Sequence, residues 1–273
     1  MSIKIFYHAH CNDGFTAAWV VWRKYGSDAQ YVPCQYNDTP PPVSPDDKVI
    51  VVDFSFPRDI LLSWQSLGTE ILVLDHHKTA AEQLLGLEFA LFDQSKCGSV
   101  LTWEHFFPNI PVPLMLQYVQ DRDLWHKALP HTEEVYAAMR SIPQEFEQWE
   151  KLYQLSDEEF LQQMIEIGTP ILERRQLEIK QLASKAKIQD LAGYQVPVAY
   201  APKYWSDVAS ILLEQYPQMP FAACWRDQEQ ADQTVVRNWE LRSRKDEDFD
   251  VSKVAKEHGG GGHKNAAGFQ TTL

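Results

Sequence analysis

Cysteine and basic residues are both scarce in this chain. The cysteines are scattered, and no two have the C-x-x-C spacing: Cys11, Cys34, Cys97 and Cys224. This excludes a cysteine-based structural zinc site and indicates a reduced compartment. Only 25 Lys and Arg stand against 38 Asp and Glu, a net charge of −13, which argues against a protein that coats long duplex nucleic acid. A nucleotide substrate stays compatible with this charge, because bound divalent cations bring their own positive charge.

Long apolar runs are also missing. The stretch MSIKIFYH is too short for a signal peptide, and no run approaches transmembrane length, so we expect a cytoplasmic protein without a membrane partner. The hydrophobic fraction of 44% and the nine tryptophans are typical of ordered globular proteins. A length of 273 residues suffices for one large domain or two ordinary ones.

Apolar, β-branched runs predict strands buried on both faces at KVIVVDF (48–54) and EILVLD (70–75), with a helix between them. Strands that alternate with helices indicate an α/β fold with a mostly parallel, doubly wound sheet. A charge-rich helical segment follows, and then strand-like runs of a smaller α/β unit. The predicted division is a metal-binding domain, a helical connector and a substrate-binding domain, over residues 1–142, 143–192 and 193–273.

Two buried strands each end in an aspartate, Asp53 and Asp75, and the second continues as His76 and His77. The carboxyl ends of parallel strands form the ligand crevice of such sheets, where an unpaired charge is costly. A metal ion would supply the counter-charge, and mixed carboxylate and imidazole ligands suit Mn²⁺ or Mg²⁺. The alternative is that each aspartate caps the helix that follows it.

The stretch YHAHCNDGF (7–15) lies where the first strand passes into the first helix. Its candidate ligands, in the order we favour them, are Asp13, His8, His10, Asn12 and Cys11. The alternative is that only Asp13 matters and the rest serves helix entry.

Two motifs carry a family resemblance. VLDHHKT (73–79) resembles the signature of the DHH phosphoesterase superfamily, and GGGGHKNAAGF (259–269) resembles the glycine-rich motif of the DHH-associated C-terminal domain. Their order and separation match across essentially the whole chain. The resemblance implies a two-domain α/β hydrolase with its active site in the cleft between the domains. It also implies two Mn²⁺ ions, with Mg²⁺ or Co²⁺ as alternatives, and hydrolysis by a metal-activated hydroxide.

The resemblance also implies roles for individual residues. Asp53 matches the carboxylate that bridges both ions, His76 a metal ligand and His77 a contact to the substrate phosphate, with Asp75 orienting them. The fourth motif falls on LMLQYVQDRDLW, where Asp121 is the expected ligand and Asp123 the alternative.

The first motif departs from the family pattern. His8 and Asp13 are the expected ligands there, but Cys11 stands where the family has a carboxylate, and His8 is one residue off the commonest spacing. This departure leaves the choice among Mn²⁺, Mg²⁺ and Co²⁺ open.

The four-glycine run is predicted to cradle a phosphate. Backbone N–H groups of Gly260, Gly261 and Gly262 can approach an anion closely, and His263 and Lys264 would add donors. Arg242 resembles a family residue upstream of this motif, and Arg237 is a second candidate. The alternatives are a flexible linker for the glycines and surface positions for the arginines.

The resulting hypothesis is a metal-dependent phosphodiesterase that acts on short single-stranded oligonucleotides or linear dinucleotides. Trp125, which directly follows the fourth motif, is the aromatic residue to test first for base stacking. A polyphosphate or pyrophosphate hydrolase, and a non-catalytic nucleotide-binding protein on a decayed site, are the alternatives. The sequence leaves a homodimer open.

Overall fold

The structure of the protein is a computed structural model, which describes residues 2–36, 38–230 and 232–272. The chain divides into two compact units, one that ends at Leu172 and one that begins at Glu173. The boundary falls within one long helix, α8 (Asp157–Ala183).

The first unit contains a five-stranded parallel sheet with the order β2-β1-β3-β4-β5. Its strands are β1 Ile3–His8, β2 Ala29–Cys34, β3 Lys48–Val52, β4 Glu70–Asp75 and β5 Ala90–Phe92. Its helices before α8 are α1 Asn12–Tyr25, α2 Arg58–Ser66, α3 Lys78–Gln83, α4 Gly98–Phe106, α5 Leu114–Asp123, α6 Thr132–Ser141 and α7 Phe146–Tyr153.

The central strands of this sheet are covered on both faces. In β3, Val49 and Val51 belong to one hydrophobic cluster, whereas Ile50 and Val52 belong to another. Side chains alternate between the two faces of a strand, so a continuous apolar run is what a doubly covered strand requires. The parallel arrangement places the carboxyl ends of β1, β3 and β4 at the same edge, and these are the strands that carry the candidate site.

The second unit contains a mixed sheet with the order β10-β11-β9-β8-β7-β6, in which β7 and β8 run parallel and the other pairs antiparallel. Its strands are β6 Lys187–Leu191, β7 Tyr194–Tyr200, β8 Ala222–Glu229, β9 Val235–Arg242, β10 Gly261–His263 and β11 Ala266–Thr272. Its helices are α9 Trp205–Gln215 and α10 Val251–Glu257.

The two helices of this unit pack on different clusters of side chains. α9 packs with Ala199 and Cys224, and α10 packs with Leu241, Ala267 and Phe269. The neighbouring strand residues therefore point to opposite faces of the sheet, as strand geometry requires.

The predicted α/β fold, with a parallel sheet and a second, smaller α/β unit, is confirmed. The short strands β5 and β10 and the polar strand β6 were not predicted. Among the residues that the structure describes, no helix is long and apolar enough to cross a membrane.

Candidate metal centre

The candidate centre lies at the carboxyl-terminal edge of the parallel sheet. His8 is the last residue of β1, Asp53 directly follows β3, and Asp75, the last residue of β4, is followed by His76 and His77. Asp13 is added from the first turn of α1, and Asp123 from the last turn of α5. The strand-end prediction therefore leads to one cluster, although its members lie up to 115 positions apart in the chain (from His8 to Asp123).

Asp53 lies at the middle of this cluster and is only 1% exposed. Its Oδ1 lies 3.1 Å from His76 Nε2, and its Oδ2 lies 3.5 Å from His8 Nδ1 without forming a hydrogen bond. Burial raises the pKa of this carboxyl well above its usual range, and the negative charge of Asp13 raises it further, while His76 lowers it. Asp53 is thus a buried carboxylate with one oxygen that has no hydrogen-bond donor.

His76 is surrounded by three carboxylates. Its Nε2 lies 3.1 Å from Asp53, 3.6 Å from Asp123 and 3.9 Å from Asp13. Burial lowers the pKa of the imidazole, but the hydrogen bond to Asp53 and the three negative charges outweigh it and raise the pKa to about 9. Without a cation, the imidazolium is the positive charge of this cluster, and a bound divalent ion would take over that role.

Asp13 is held by the first residues of α4. Both of its oxygens accept backbone hydrogen bonds, from Gly98 N–H at 2.6 Å and from Ser99 N–H at 2.9 Å. The N-terminus of a helix offers free N–H groups, and those of α4 fix the position of this side chain.

Gly98 has a second function beside this hydrogen bond. A Cβ at position 98 would lie 2.5 Å from the Cβ of Asp53 and 2.6 Å from its Oδ1, so only glycine permits this approach. Asp53 itself has a φ of 57°, in the left-handed region, which aspartate tolerates better than most residues. Gly98 was not predicted from the sequence, because nothing local marks a contact with a residue 45 positions away.

Asp75 supports its neighbours. Its Oδ1 accepts the backbone N–H of His76 at 2.7 Å and lies 2.7 Å from His77 Nδ1, while its Oδ2 accepts the hydroxyl of Ser55 at 2.6 Å. These contacts fix the ring of His77 and raise its pKa through the bond to Asp75. The N-cap residue of the following helix, α3, is His77 and not Asp75. The hydrogen bonds of Asp75 are those expected of a residue that orients its neighbours.

The structure distinguishes the two aspartates of the fourth motif. The carboxylate of Asp121, which the sequence favoured as the ligand, is buried and accepts hydrogen bonds from Thr132 Oγ1 and from the N–H groups of Ala128 and Leu129. These donors tie the end of α5 to the start of α6. Asp123 instead lies beside His76, and burial together with the charge of Asp13 raises its pKa to about 6. The geometry therefore places Asp123, not Asp121, in the cluster.

In the first motif, the structure brings Cys11 into contact distance with the cluster. His8, Cys11 and Asp53 offer ligand atoms within 4.8 Å of one another, as do Asp13, His76 and Asp123. Among the described residues, His10 belongs to no such group. Burial, with Asp53 and Asp13 nearby, raises the pKa of the Cys11 thiol and disfavours the thiolate, which is the form that binds metals.

Two buried polar atoms test whether this set fits a metal ion. His8 Nδ1 and Asp53 Oδ2 point toward each other at 3.5 Å, and neither has a hydrogen-bond partner. Buried polar groups are almost always satisfied, and a ligand is one explanation for exceptions. Nitrogen and carboxylate oxygen are both ligands of hydrolytic metals, so the residues fit a divalent cation.

The glycine-rich segment lies in the second unit. Gly260 and Gly262 allow close packing, because a Cβ at either would lie within 2.6 Å of atoms of β11. A Cβ at Gly261 would meet nothing within 4 Å. Packing thus accounts for two of the three predicted glycines, and Gly261 is the one whose surroundings are open.

The basic residues near the glycines differ in their contacts. The register aligns His263, Ala266 and Arg242 across three strands, so His263 and Arg242 share one face with only a small side chain between them. Lys264 Nζ donates to Asp248 Oδ1 at 2.8 Å, and Arg237 forms a bidentate pair with Asp227 at 2.7 and 2.9 Å. These contacts favour Arg242 over Arg237 as an anion ligand.

The chain has a relative of similar sequence and a solved structure of similar fold. No model of a known protein family matches the sequence. The uncharacterized protein R106 of Acanthamoeba polyphaga mimivirus is 31% identical over 286 aligned residues, and the alignment covers 97% of this chain and 66% of that protein. This chain thus spans just under two thirds of its relative's length.

Two solved structures are similar over almost the whole chain. PggH of Vibrio cholerae, described as a pGpG-specific phosphodiesterase, aligns with a TM-score of 0.54 at 12% identity, covering 100% of this chain and 94% of that one. An uncharacterized protein of Helicobacter pylori G27 aligns with a TM-score of 0.42 at 16% identity, covering 99% and 93%. At such identity, the likeness to PggH shows a shared fold.

Proposed function

We propose that this protein is a divalent-metal-dependent phosphodiesterase of the DHH kind, which hydrolyses short single-stranded oligonucleotides or linear dinucleotides. The observation that carries the proposal is the buried Asp53, with an unpartnered oxygen, between two histidines and two further carboxylates. The DHH triplet at residues 75–77 and the shared fold with PggH support the same chemistry.

Five side chains would hold the metal: His8, Asp13, Asp53, His76 and Asp123. Asp53 lies 3.5 Å from His8 and 3.1 Å from His76, so it would hold a metal together with either histidine. A mixture of carboxylates and imidazoles suits Mn²⁺, with Mg²⁺ or Co²⁺ as alternatives. A pair of such ions would supply Lewis acidity toward the phosphoryl group and the attacking water.

His77 would bind the substrate phosphate. Its Nδ1 is occupied by Asp75 at 2.7 Å, so its Nε2 is the nitrogen that remains for a substrate. The raised pKa favours the imidazolium, which forms a charge-assisted hydrogen bond with a phosphate oxygen. The ring is oriented before substrate arrives, which reduces the entropy cost of binding.

The second unit would carry an anion-binding surface of its own. Arg242 and His263 share one face of its sheet, and Gly261 offers open backbone beside them. Oriented guanidinium and backbone N–H groups are suitable donors for phosphate. The net charge of −13 argues against tracking along a long polymer, so we assign short substrates.

The proposal is tested by offering the purified protein and Mn²⁺ four substrates separately: a 5′-phosphorylated dinucleotide, a long single-stranded oligonucleotide, a cyclic dinucleotide and pyrophosphate. We expect mononucleotides from the dinucleotide, at a higher kcat/KM than for the long oligonucleotide. Release of orthophosphate from pyrophosphate, with every nucleotide intact, would overturn the proposal in favour of the pyrophosphatase alternative. Nucleotide binding without any product would favour the non-catalytic alternative.

A further inference from the structure

A small cavity lies directly beside the metal centre in the first unit. Its volume is about 100 Å³, and its walls include Asn12, Asp13, Arg122, Asp123 and Trp125. Two of these residues, Asp13 and Asp123, also face His76. A group in this cavity would therefore lie next to the proposed reacting phosphate.

Trp125 is the most conspicuous wall of this cavity. It is 67% exposed, an unusual state for the largest apolar side chain, and it has a φ of 57°, which a bulky residue rarely adopts. Its backbone N–H donates to Arg122 O at 3.3 Å, in the tight turn that ends α5. Strained backbone of this kind often occurs at ligand-binding sites, where it fixes the direction of a side chain.

Two cations contact the indole ring. The guanidinium of Arg122 lies 4.3 Å from the ring centroid, and Lys127 Nζ lies 4.6 Å from it. Both cations approach the same oxygen, Glu133 Oε1, at 3.5 and 2.8 Å. A single carboxylate oxygen thus links the two cations that contact the indole.

Despite these contacts, Trp125 remains 67% exposed, so part of the indole is accessible to a ligand. An aromatic ring that is held by cations and still exposed is a pre-organised stacking surface. Little rotamer freedom remains to be lost when a flat ligand binds to it.

Asn12 gives this cavity an unpartnered hydrogen-bond donor. Its side chain is only 4% exposed, and its Nδ2 has no hydrogen-bond partner. A buried amide donor without an acceptor is costly, and an oxygen or ring nitrogen of a ligand would satisfy it. A nucleobase combines the flat ring that Trp125 favours with the acceptor that Asn12 lacks.

We propose that Trp125 stacks on one nucleobase of the substrate and that Asn12 donates to an acceptor of the same nucleoside, beside the metal centre. This assignment rests on the proposed phosphodiesterase function and deepens it. Trp125 is then a specificity residue: it favours substrates with a base at one position and contributes little to the bond cleavage itself.

The test compares wild type with Trp125→Ala and Trp125→Phe on three substrates: a 5′-phosphorylated diadenosine, and two analogues that each lack one of the two bases. For the intact dinucleotide we expect Trp125→Ala to lower kcat/KM about 5- to 100-fold, mainly through KM, because stacking on an aromatic side chain contributes that much per base. Trp125→Phe should retain most of the activity, since it keeps an aromatic face. Leu85→Ala, at another exposed apolar residue of this unit, should behave as wild type.

The analogues identify the contact. For one of the two, wild type and Trp125→Ala should have the same kcat/KM, because the base that stacks is missing. An equal penalty for all three substrates would overturn the inference and assign Trp125 a structural role, or a surface for a protein partner. Failure of wild type to cleave any of them would instead overturn the proposed function, and this inference with it.

Discussion

The two aspartates of the fourth motif, Asp121 and Asp123, allow the most discriminating prediction. Replacing Asp123 should stabilise the metal-free protein, whereas replacing Asp121 should destabilise it. In the absence of metal, the raised pKa of Asp123, about 6 against 3.8, means that its ionised form destabilises the folded protein at pH 7. One pKa unit corresponds to about 1.4 kcal/mol, so the penalty is on the order of 1–3 kcal/mol after allowance for the partial exposure of the side chain. Asp123→Asn should therefore stabilise the metal-free protein by that amount.

The sign of the pH dependence follows from the same shift. The folded protein keeps the proton of Asp123 to higher pH than the unfolded chain does, so the penalty develops as pH rises from about 4 to about 6. Wild type and Asp123→Asn should thus have similar stability at about pH 4, and they should diverge above it.

Asp121→Ala should have the opposite effect. It leaves Thr132 Oγ1 and the N–H groups of Ala128 and Leu129 without their buried acceptor, and each such loss costs about 1–3 kcal/mol. We expect a loss of about 2–4 kcal/mol in unfolding free energy at pH 7, because neighbouring losses are not additive.

The assay is chemical unfolding of wild type, Asp123→Asn and Asp121→Ala, in EDTA and in Mn²⁺. A ligand at about 100 times its Kd stabilises a protein by about 2.7 kcal/mol. Wild type and Asp121→Ala should gain this stabilisation from Mn²⁺, and Asp123→Asn should lose most of it. If Asp123→Asn kept the Mn²⁺ response and Asp121→Ala lost it, Asp121 would be the ligand and our reasoning would be refuted.

Three further substitutions test other parts of the account. Gly98→Ala should displace Asp53, because the new Cβ would lie 2.5 Å from the Cβ of that residue, and Mn²⁺-dependent activity should fall at least about 10-fold; unchanged activity would contradict the close approach. Asp75→Asn should lower kcat about 10- to 100-fold through a loosened His77 ring, while calorimetry shows Mn²⁺ affinity kept within a few fold; loss of metal binding would instead make Asp75 a ligand. Asp47→Asn should destabilise the protein by about 1–3 kcal/mol at pH 7, because hydrogen bonds from three groups hold the pKa of this carboxyl below its usual range. A depressed folded pKa stabilises above the unfolded pKa of about 3.9, so the difference from wild type should shrink as acid titrates the carboxylate, and a constant difference would contradict this cause.

The strands of the parallel sheet were predictable because their signal is local. A strand such as β3, covered on both faces, needs apolar residues at every position, and KVIVV meets that need without reference to the rest of the chain. The strand β6 carries no such signal, since most of its residues are exposed at the edge of the second sheet and only antiparallel pairing with β7 defines it.

The residues of the candidate site also divide into those with a local sequence signal and those without one. Asp53 and His76 were predictable because each directly follows a buried strand, and the geometry of a parallel sheet brings strand ends together. The choice between Asp121 and Asp123 depends on which carboxylate finds donors at the start of α6 and in the loop before it, and these donors lie 7 to 11 residues further along the chain. Gly98, the first residue of α4, was missed for a similar reason, since its partner Asp53 follows β3 and is distant in the sequence.

Metal dependence of dinucleotide hydrolysis tests the central claim most directly. Protein stripped with EDTA should bind Mn²⁺ in calorimetry with a stoichiometry of two, and hydrolysis of a 5′-phosphorylated dinucleotide should return as those sites fill. Asp53→Asn should keep the fold, judged by circular dichroism, but lose both the second ion and turnover. Full activity of Asp53→Asn, or hydrolysis by wild type that continues in EDTA, would contradict a metal centre built around Asp53.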